Sequence, residues 1–315
     1  PVRWEPNPEA GVAPLPVGNQ RALRTNLVDA EYSAALDAVV IASSSPRNEL
    51  RLYNPVTHSS QAVRLDLPPL SVAVSPDGLS AAVGHNHKIT IVDLTRIGQP
   101  GASVVLDTGA TAGEVVLAGD GYVYAFRSFE VEFASYFSSV EIATNVEKLS
   151  YDPIVSRART KLHPSGTKAY GATAPSSSST LVRLTLEDGG IAYYKSHQDR
   201  FNGDPCEDLW MRQDGAHIYT ACGTVFRASE AYRLDLRDAA SMPLSPLSLG
   251  RSRVVSLSHS DPGHEVALLD EDYVGCNDPR LSKCYTHFAI YDDSYLGLFA
   301  RYSLPPVSVA GRPYA

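Results

Sequence analysis

Two histidines that flank a single residue, His85 and His87, are the first side chains whose spacing could support chemistry. In an extended segment, residues two apart point to the same side of the chain. Two imidazoles on one side, helped by an acid, could bind a transition metal. The spacing supplies no third ligand, so two solvated loop histidines are the alternative. The pair is a candidate ligand-binding site.

A second candidate is a basic group. Arg157, Arg159 and Lys161 lie close together in the sequence, and we expect Arg127 to approach them across the central channel of the fold. Such a group could hold a carboxylate or a phosphate. The alternative is an exposed strand face whose cations pair with nearby acids.

Acidic residues supply the remaining candidates. Asp270, Glu271 and Asp272 form a short acidic run, with Asp278 close by. Oxygen ligands suit calcium, but the ligand pattern of a calcium-binding loop is missing, so a solvated acidic loop is the alternative. We therefore predict no cofactor, with calcium as the one possibility. An enzyme would require Asp272 or Asp204 to converge with the two histidines on one pocket.

Cysteine usage points to a compartment. The four cysteines form two local pairs, Cys206 with Cys222 and Cys276 with Cys284. A hairpin turn at residues 214–215 would place the first pair on neighbouring strands, close enough for a disulfide. Their spacing does not resemble that of zinc ligands, and free buried thiols are the alternative. Two disulfides predict a secreted, periplasmic or cell-surface location.

Composition excludes several kinds of partner. The 315 residues carry a formal net charge of −8, which argues against nucleic acid as the main partner. No run of about 18 apolar residues exists, so we expect no direct membrane insertion.

Motifs for a hydrolase elbow, a zinc protease, a phosphate loop or dinucleotide binding are also missing. We assign no catalytic residue, and an enzyme is the less favoured class. Because the chain begins with Pro1, we expect a mature or trimmed form.

These side chains must be positioned by a repeated unit. Residues 70–78 predict a strand and a Pro-Asp-Gly turn, and strands follow at 79–84, 88–94 and 102–106. Similar turns recur along the chain, with glycines at positions 78, 121, 166, 215 and 263, which are 43 to 49 residues apart. Such a period is typical of β-propeller blades. We therefore predict an all-β propeller of four-stranded antiparallel blades, whose connecting loops carry function.

One repeat resembles a known family. The letters VAVSPDG at residues 72–78, followed by ITIVDL at 89–94, resemble the YVTN/YncE-like repeats of surface-layer type, seven-bladed β-propellers. The Tyr-Val-Thr-Asn of that family is replaced by Ala-Val-Gly-His at 82–85. The resemblance implies the fold and an extracytoplasmic location, and it carries no catalytic residues.

The blade count depends on the ends of the chain. Six turns span roughly residues 25 to 304, and residues 305–315 resemble the start of another blade. We therefore favour seven blades, the last of them incomplete. Residues 1–24 are predicted to be a Pro- and Gly-rich segment, and residues 25–315 a single propeller domain.

Three functions fit this reading. The favoured one is an extracytoplasmic, non-enzymatic scaffold that binds a protein or a glycan through its loop face. A hydrolase, lactonase or lyase with an active site at the channel mouth is the second. A structural module of a larger surface protein is the third.

Overall fold

A computed structural model describes most of the chain. The described residues are 13–14, 23, 25–109, 111–127, 137–150, 159–173, 180–198, 208–244, 252–272, 286–304, 307–309 and 312–314. They form two compact units, residues 23–208 and residues 1–22 with 209–315, which we call the four-blade unit and the two-blade unit. Among the described residues, no helix combines the length and the apolar character that crossing a bilayer requires.

The four-blade unit contains four antiparallel sheets, each of four consecutive strands. Blade 1 has β2 (Asn26–Ser33), β3 (Ala38–Ser45), β4 (Glu49–Tyr53) and β5 (Ser60–Arg64). Blade 2 has β6 (Ser71–Val74), β7 (Ser80–Gly84), β8 (Lys88–Asp93) and β9 (Ser103–Asp107), with a 3-10 turn at Leu94–Arg96. Blade 3 has β10 (Ala112–Leu117), β11 (Tyr122–Arg127), β12 (Phe137–Glu141) and β13 (Val146–Ser150). Blade 4 has β14 (Arg159–Leu162), β15 (Lys168–Thr173), β16 (Thr180–Glu187) and β17 (Gly190–Gln198).

The two-blade unit continues the pattern. Blade 5 has β18 (Leu209–Met211), β19 (His217–Thr220), β20 (Thr224–Arg227) and β21 (Asp238–Ser241). Blade 6 has β22 (Ser252–Ser260), β23 (Glu265–Asp272), β24 (Thr286–Asp292) and β25 (Leu298–Ser303). A short strand from the Pro- and Gly-rich segment, β1 (Ala13–Pro14), pairs in parallel with β25 as a fifth strand. The all-β prediction of four-stranded antiparallel blades is confirmed.

The prediction of seven blades is wrong, because the described residues form six. Blade 6 is already complete with four consecutive strands that end at Ser303. The tail contributes β26 (Val307–Val309) and β27 (Arg312–Tyr314), which pair with each other in a separate two-stranded sheet. The short apolar segment after the last full repeat therefore forms its own two-stranded sheet and not a seventh blade.

The turn between the first and second strands is built the same way in every blade. Gly78, Gly121, Gly166 and Gly215 all have φ between 74° and 87°. This left-handed conformation costs glycine little because it has no Cβ. Blade 1 uses Asp37 at φ 45° and blade 6 uses His264 at φ 52° in the same turn. The turn of blade 6 therefore places the left-handed residue one position after the predicted Gly263.

Apolar side chains fill the space between neighbouring blades. Alternate residues of a strand face opposite sides of its sheet, so within each unit adjacent blades bury rows of side chains against each other. Val40 and Leu50 of blade 1, for example, are fully buried and share a cluster with Val83 of blade 2. Tyr219 of blade 5 and Val266 of blade 6 meet in the same way. This packing holds each unit together without helices.

The hairpin expected around the first cysteine pair is present. Met211 of β18 pairs with Ile218 of β19 across the turn at Gly215. Cys222 is disulfide-bonded. Cys206, Cys276 and Cys284 lie outside the described residues. The two pairings therefore stay predictions.

A glycine at the boundary between blades 2 and 3 offers a test of this packing. A Cβ on Gly84 would lie 2.2 Å from the carbonyl oxygen of Ala112 and 2.7 Å from Oγ of Ser71. Because backbone of the next blade must move, we expect Gly84→Ala to lower the free energy of unfolding by about 2 kcal/mol. Urea unfolding measures this.

The matched control is Gly119→Ala, since a Cβ there would approach nothing closer than 3.9 Å. We expect that variant to unfold within about 0.5 kcal/mol of the parent protein. Equal effects of the two substitutions would show that blades 2 and 3 do not pack as described.

Candidate functional site

The first strands of blades 1 and 2 are joined by carboxylates. Asp29 and Glu31 lie two residues apart on β2 and therefore share a side of that strand. Oδ2 of Asp29 accepts from the backbone N–H of Val72, and Oε2 of Glu31 accepts from that of Val74, each at 2.8 Å. The two acids thus satisfy alternate donors along the free edge of β6.

The second oxygen of Glu31 holds a lysine from blade 4. Nζ of Lys161, on β14, lies 2.6 Å from Oε1 of Glu31, and both side chains are about four-fifths buried. Burial opposes the charged form of this lysine, but Glu31 and Asp29 outweigh it and raise its pKa. The ammonium is therefore held between acids in a part of the structure with little water.

Glu114 of blade 3 is the most buried member of the group. It pairs with Arg159 of β14, yet its residue is only 8% exposed. Burial is the main reason that its pKa rises to about 7, and the charges of Arg159 and Lys161 oppose that rise. Asp29 and Asp208 add negative charge and push the pKa up further. Close to neutral pH, Glu114 thus exchanges a proton inside an ion-pair group.

We call these six residues the inner-strand charge cluster: Asp29, Glu31, Glu114, Arg159, Lys161 and Asp208. Arg159 and Lys161, two of the cations named from the sequence, pair with acids, which was the alternative to an anion site. Arg157 lies outside the described residues. The backbone of Arg127 pairs with Ala112 at the end of β11, and its side chain is not described.

The two nominated histidines are not equivalent. His85 is buried, at 1% exposure, whereas His87 is exposed in a left-handed turn at φ 59°. Nδ1 of His85 donates to the carbonyl of Pro68, so its Nε2 accepts from the hydroxyl of Thr90, each at 2.9 Å. Burial lowers the pKa of His85. Its lone pair is occupied, and the two rings do not form a paired metal site.

Acids of the run in blade 6 also have ion-pair partners. Asp270 is fully buried, pairs with Arg301 at 2.5 Å, and lies 3.4 Å from Nδ1 of His287. A carboxylate committed to a buried guanidinium is a poor calcium ligand. Asp272 ends β23, with its side chain outside the description, and Asp204 lies outside the described residues altogether.

A His–Asp network in the two-blade unit was not foreseen. His259 accepts at Nδ1 from the backbone N–H of Gln213, and its Nε2 lies 3.2 Å from Asp293. Arg212 of blade 5 reaches the same oxygen of Asp293 at 2.9 Å. Asp261 stands close enough to make a three-ligand group with His259 and Asp293. Since both ring nitrogens and the shared oxygen have partners, the network ties blade 5 to blade 6, and these contacts use the atoms that a metal ion would need.

Blade 1 carries a cleft beside the connection between its second and third strands. The cleft has a volume of about 440 Å³. Its lining includes Ser44, Arg47, Asn48, Arg64, Leu65 and Asp66. Arg47 and Arg64 are exposed, and within the described part of the chain neither forms an ion pair. We call this the loop-end cleft.

Neither the cleft nor the acids of the charge cluster were predicted from the sequence. The acids lie on strands that are remote in the sequence, so no local spacing connects them. The spacing of Asp29 and Glu31 was the available signal, since two acids on one face of a strand require partners.

Comparison with known proteins supports the fold. No family model matches the chain, and no curated protein matches it. A similar solved structure is the β-propeller domain of Cps50 (Swd1) from Myceliophteria thermophila, with a TM-score of 0.64 and 14% identity over 91% of this chain and 89% of that one. Hydrazine synthase from Kuenenia stuttgartiensis gives a TM-score of 0.60 and 14% identity over 91% and 90%. The chain therefore has a β-propeller fold, while its resemblance to YVTN repeats gains no support from a family match.

A double-mutant cycle tests the link between blades 1 and 4. Lys161→Met leaves Glu31 buried without a cation, so we expect it to lower the free energy of unfolding by about 2 to 3 kcal/mol. In the Glu31→Gln background the same substitution should cost less, with a coupling of at least about 1 kcal/mol. Urea unfolding of the four proteins gives the coupling.

The control cycle uses Lys88 and Asp107, an ion pair in blade 2 whose side chains are 42% and 74% exposed. Solvent screens such a pair, so we expect no measurable coupling. Equal coupling in both cycles would mean that burial of the cluster contributes nothing.

The raised pKa of Glu114 predicts a pH dependence of stability. Between about pH 4.5 and about 7, the folded protein keeps a proton on Glu114 that the unfolded chain releases. Raising the pH across this window should therefore lower stability, by roughly 3 kcal/mol in total. Glu114→Gln removes the proton exchange, so this decline should disappear from its unfolding curves.

The matched control is Glu187→Gln, which changes an exposed acid of blade 4. Its pH profile should follow that of the parent protein. A Glu114→Gln profile that still falls with the parent would place the titration elsewhere.

Proposed function

We propose that this chain is an extracytoplasmic β-propeller that acts as a non-enzymatic binding scaffold and meets a protein or a glycan through its loop end. By loop end we mean the end of the four-blade unit where residues 44–48, 65–70 and 85–87 lie. Propellers often use such connections for recognition, because loops vary while the sheets hold them in place.

One observation carries the proposal. The loop-end cleft has two arginines without acidic partners in the described structure, whereas the cations of the inner-strand cluster are paired. Paired buried charges hold blades to one another. Exposed, unpaired donors beside a cleft are available to something outside the chain.

The extracytoplasmic part of the proposal draws on the cysteines. A disulfide at Cys222 favours an oxidising compartment. The net charge of −8 favours a protein or glycan partner over nucleic acid.

Site-specific photocrosslinking tests the scaffold. Benzoylphenylalanine replaces Asn86, which is exposed at the loop end, or Val56, which is 76% exposed in the turn between β4 and β5 at the opposite end. Each protein is irradiated with candidate envelope proteins and with a glycan panel carrying affinity tags. We expect a saturable adduct at position 86 and none at position 56.

Two results would contradict the proposal. Adducts of equal yield at both positions would show that the loop end is not the binding surface. Hydrolysis of lactone or ester substrates above the buffer rate would show that the chain is an enzyme and not a scaffold alone.

A further inference from the structure

The loop-end cleft has a composition that selects a particular kind of ligand. Its side-chain donors are those of Arg47, Arg64, Asn48 and Ser44, and its single acid is Asp66. The two guanidiniums supply one positive charge in excess of that acid. Ser44 already receives a hydrogen bond from Asn26 at 2.6 Å, which fixes its position.

The backbone around the cleft is held in place. Asn48 accepts from the N–H of Leu65 at 2.9 Å, which ties the connection between β3 and β4 to the chain leaving β5. Thr25 donates to the carbonyl of Ser45 at 2.9 Å and secures the other side of the same connection. The two arginines therefore extend from segments that are bonded to each other.

The acid that stands opposite Arg64 on the sheet pairs with a different arginine. Glu49 stands directly opposite Arg64 in the pairing of β4 with β5. Its carboxylate is instead taken by Arg51, two residues along its own strand. Arg64 is thus left facing the cleft end of the sheet without an ion-pair partner in the described structure.

From this arrangement we infer that the loop-end cleft binds an oxyanion, a carboxylate or a phosphate, carried by the ligand of the scaffold. Guanidinium groups bind both kinds of oxyanion through two parallel hydrogen bonds. The inference rests on the proposed function, because it names the chemistry that the loop end recognises. The net charge of −8 opposes a polyanion and favours a compact group with one or two charges.

Calorimetric titration with defined anions tests the inference. The probes are inorganic phosphate and succinate. All titrations are carried out at the same ionic strength, which is set with sodium chloride. We expect saturable binding of at least one probe to the full chain, and the stronger probe identifies the oxyanion class. Arg47→Gln and Arg64→Gln should each weaken that binding by roughly tenfold or more.

The matched control is Arg96→Gln, which removes the same charge from an exposed arginine at the opposite end of blade 2. It should leave the affinity unchanged. All three arginines are exposed, so thermal melts of the variants should overlay that of the parent protein.

The outcomes separate this inference from the proposed function. If neither probe binds saturably at millimolar concentration, or if all three variants weaken binding equally, the oxyanion site is wrong. If the photocrosslink at position 86 survives in Arg47→Gln and Arg64→Gln, the scaffold stands and the oxyanion does not mediate its binding. Loss of the photocrosslink in these two variants, with retention in Arg96→Gln, supports both.

Discussion

The structure of the four-blade unit depends on how the backbone N–H groups on the free edge of a blade's first strand find hydrogen-bond acceptors. Each blade is an open sheet, so some backbone N–H groups of its first strand have no hydrogen-bond acceptor within that sheet. Asp29 and Glu31 accept from Val72 and Val74 of the next blade. Side chains on one face of β2 repeat every two residues, and the outward-pointing N–H groups on the edge of β6 repeat at the same interval. The two carboxylates therefore lie in register with the two donors.

This solution brings carboxylates into a place with little water, and a buried carboxylate requires a cation or a proton. Lys161 supplies the cation for Glu31 from blade 4. Glu114 has Arg159, but it also faces the fields of Asp29 and Asp208, which together with burial favour a bound proton near neutral pH. The charges of this cluster are therefore part of the framework. Arg47 and Arg64 lie outside this network, which is why we propose that recognition takes place at the loop end.

The sequence predicted the repeating unit well because its signals are local. Alternating apolar residues and turn glycines depend on neighbours within one blade, and the strands of blade 2 follow the predicted segments closely. The geometry assumed for the two histidines also differs from the structure for a local reason. Strand β7 ends at Gly84, so residues 85–87 form a turn and not the extended segment that the argument assumed. The charge cluster was out of reach, because Glu31 and Lys161 lie 130 positions apart and only the fold brings them together.

The turns between first and second strands help to explain how this chain shares a fold with proteins of very different sequence. Every described blade keeps a left-handed residue there, but Asp37 and His264 replace glycine in two of them. A conformation, and not a residue type, is what the blade requires at that position. Similar solved propellers with 14% identity are the expected consequence, since many sequences meet the same backbone demand. In our proposal, function is carried by side chains that the framework leaves without ion-pair partners, and among the described residues of the four-blade unit the arginines of the loop-end cleft are such side chains.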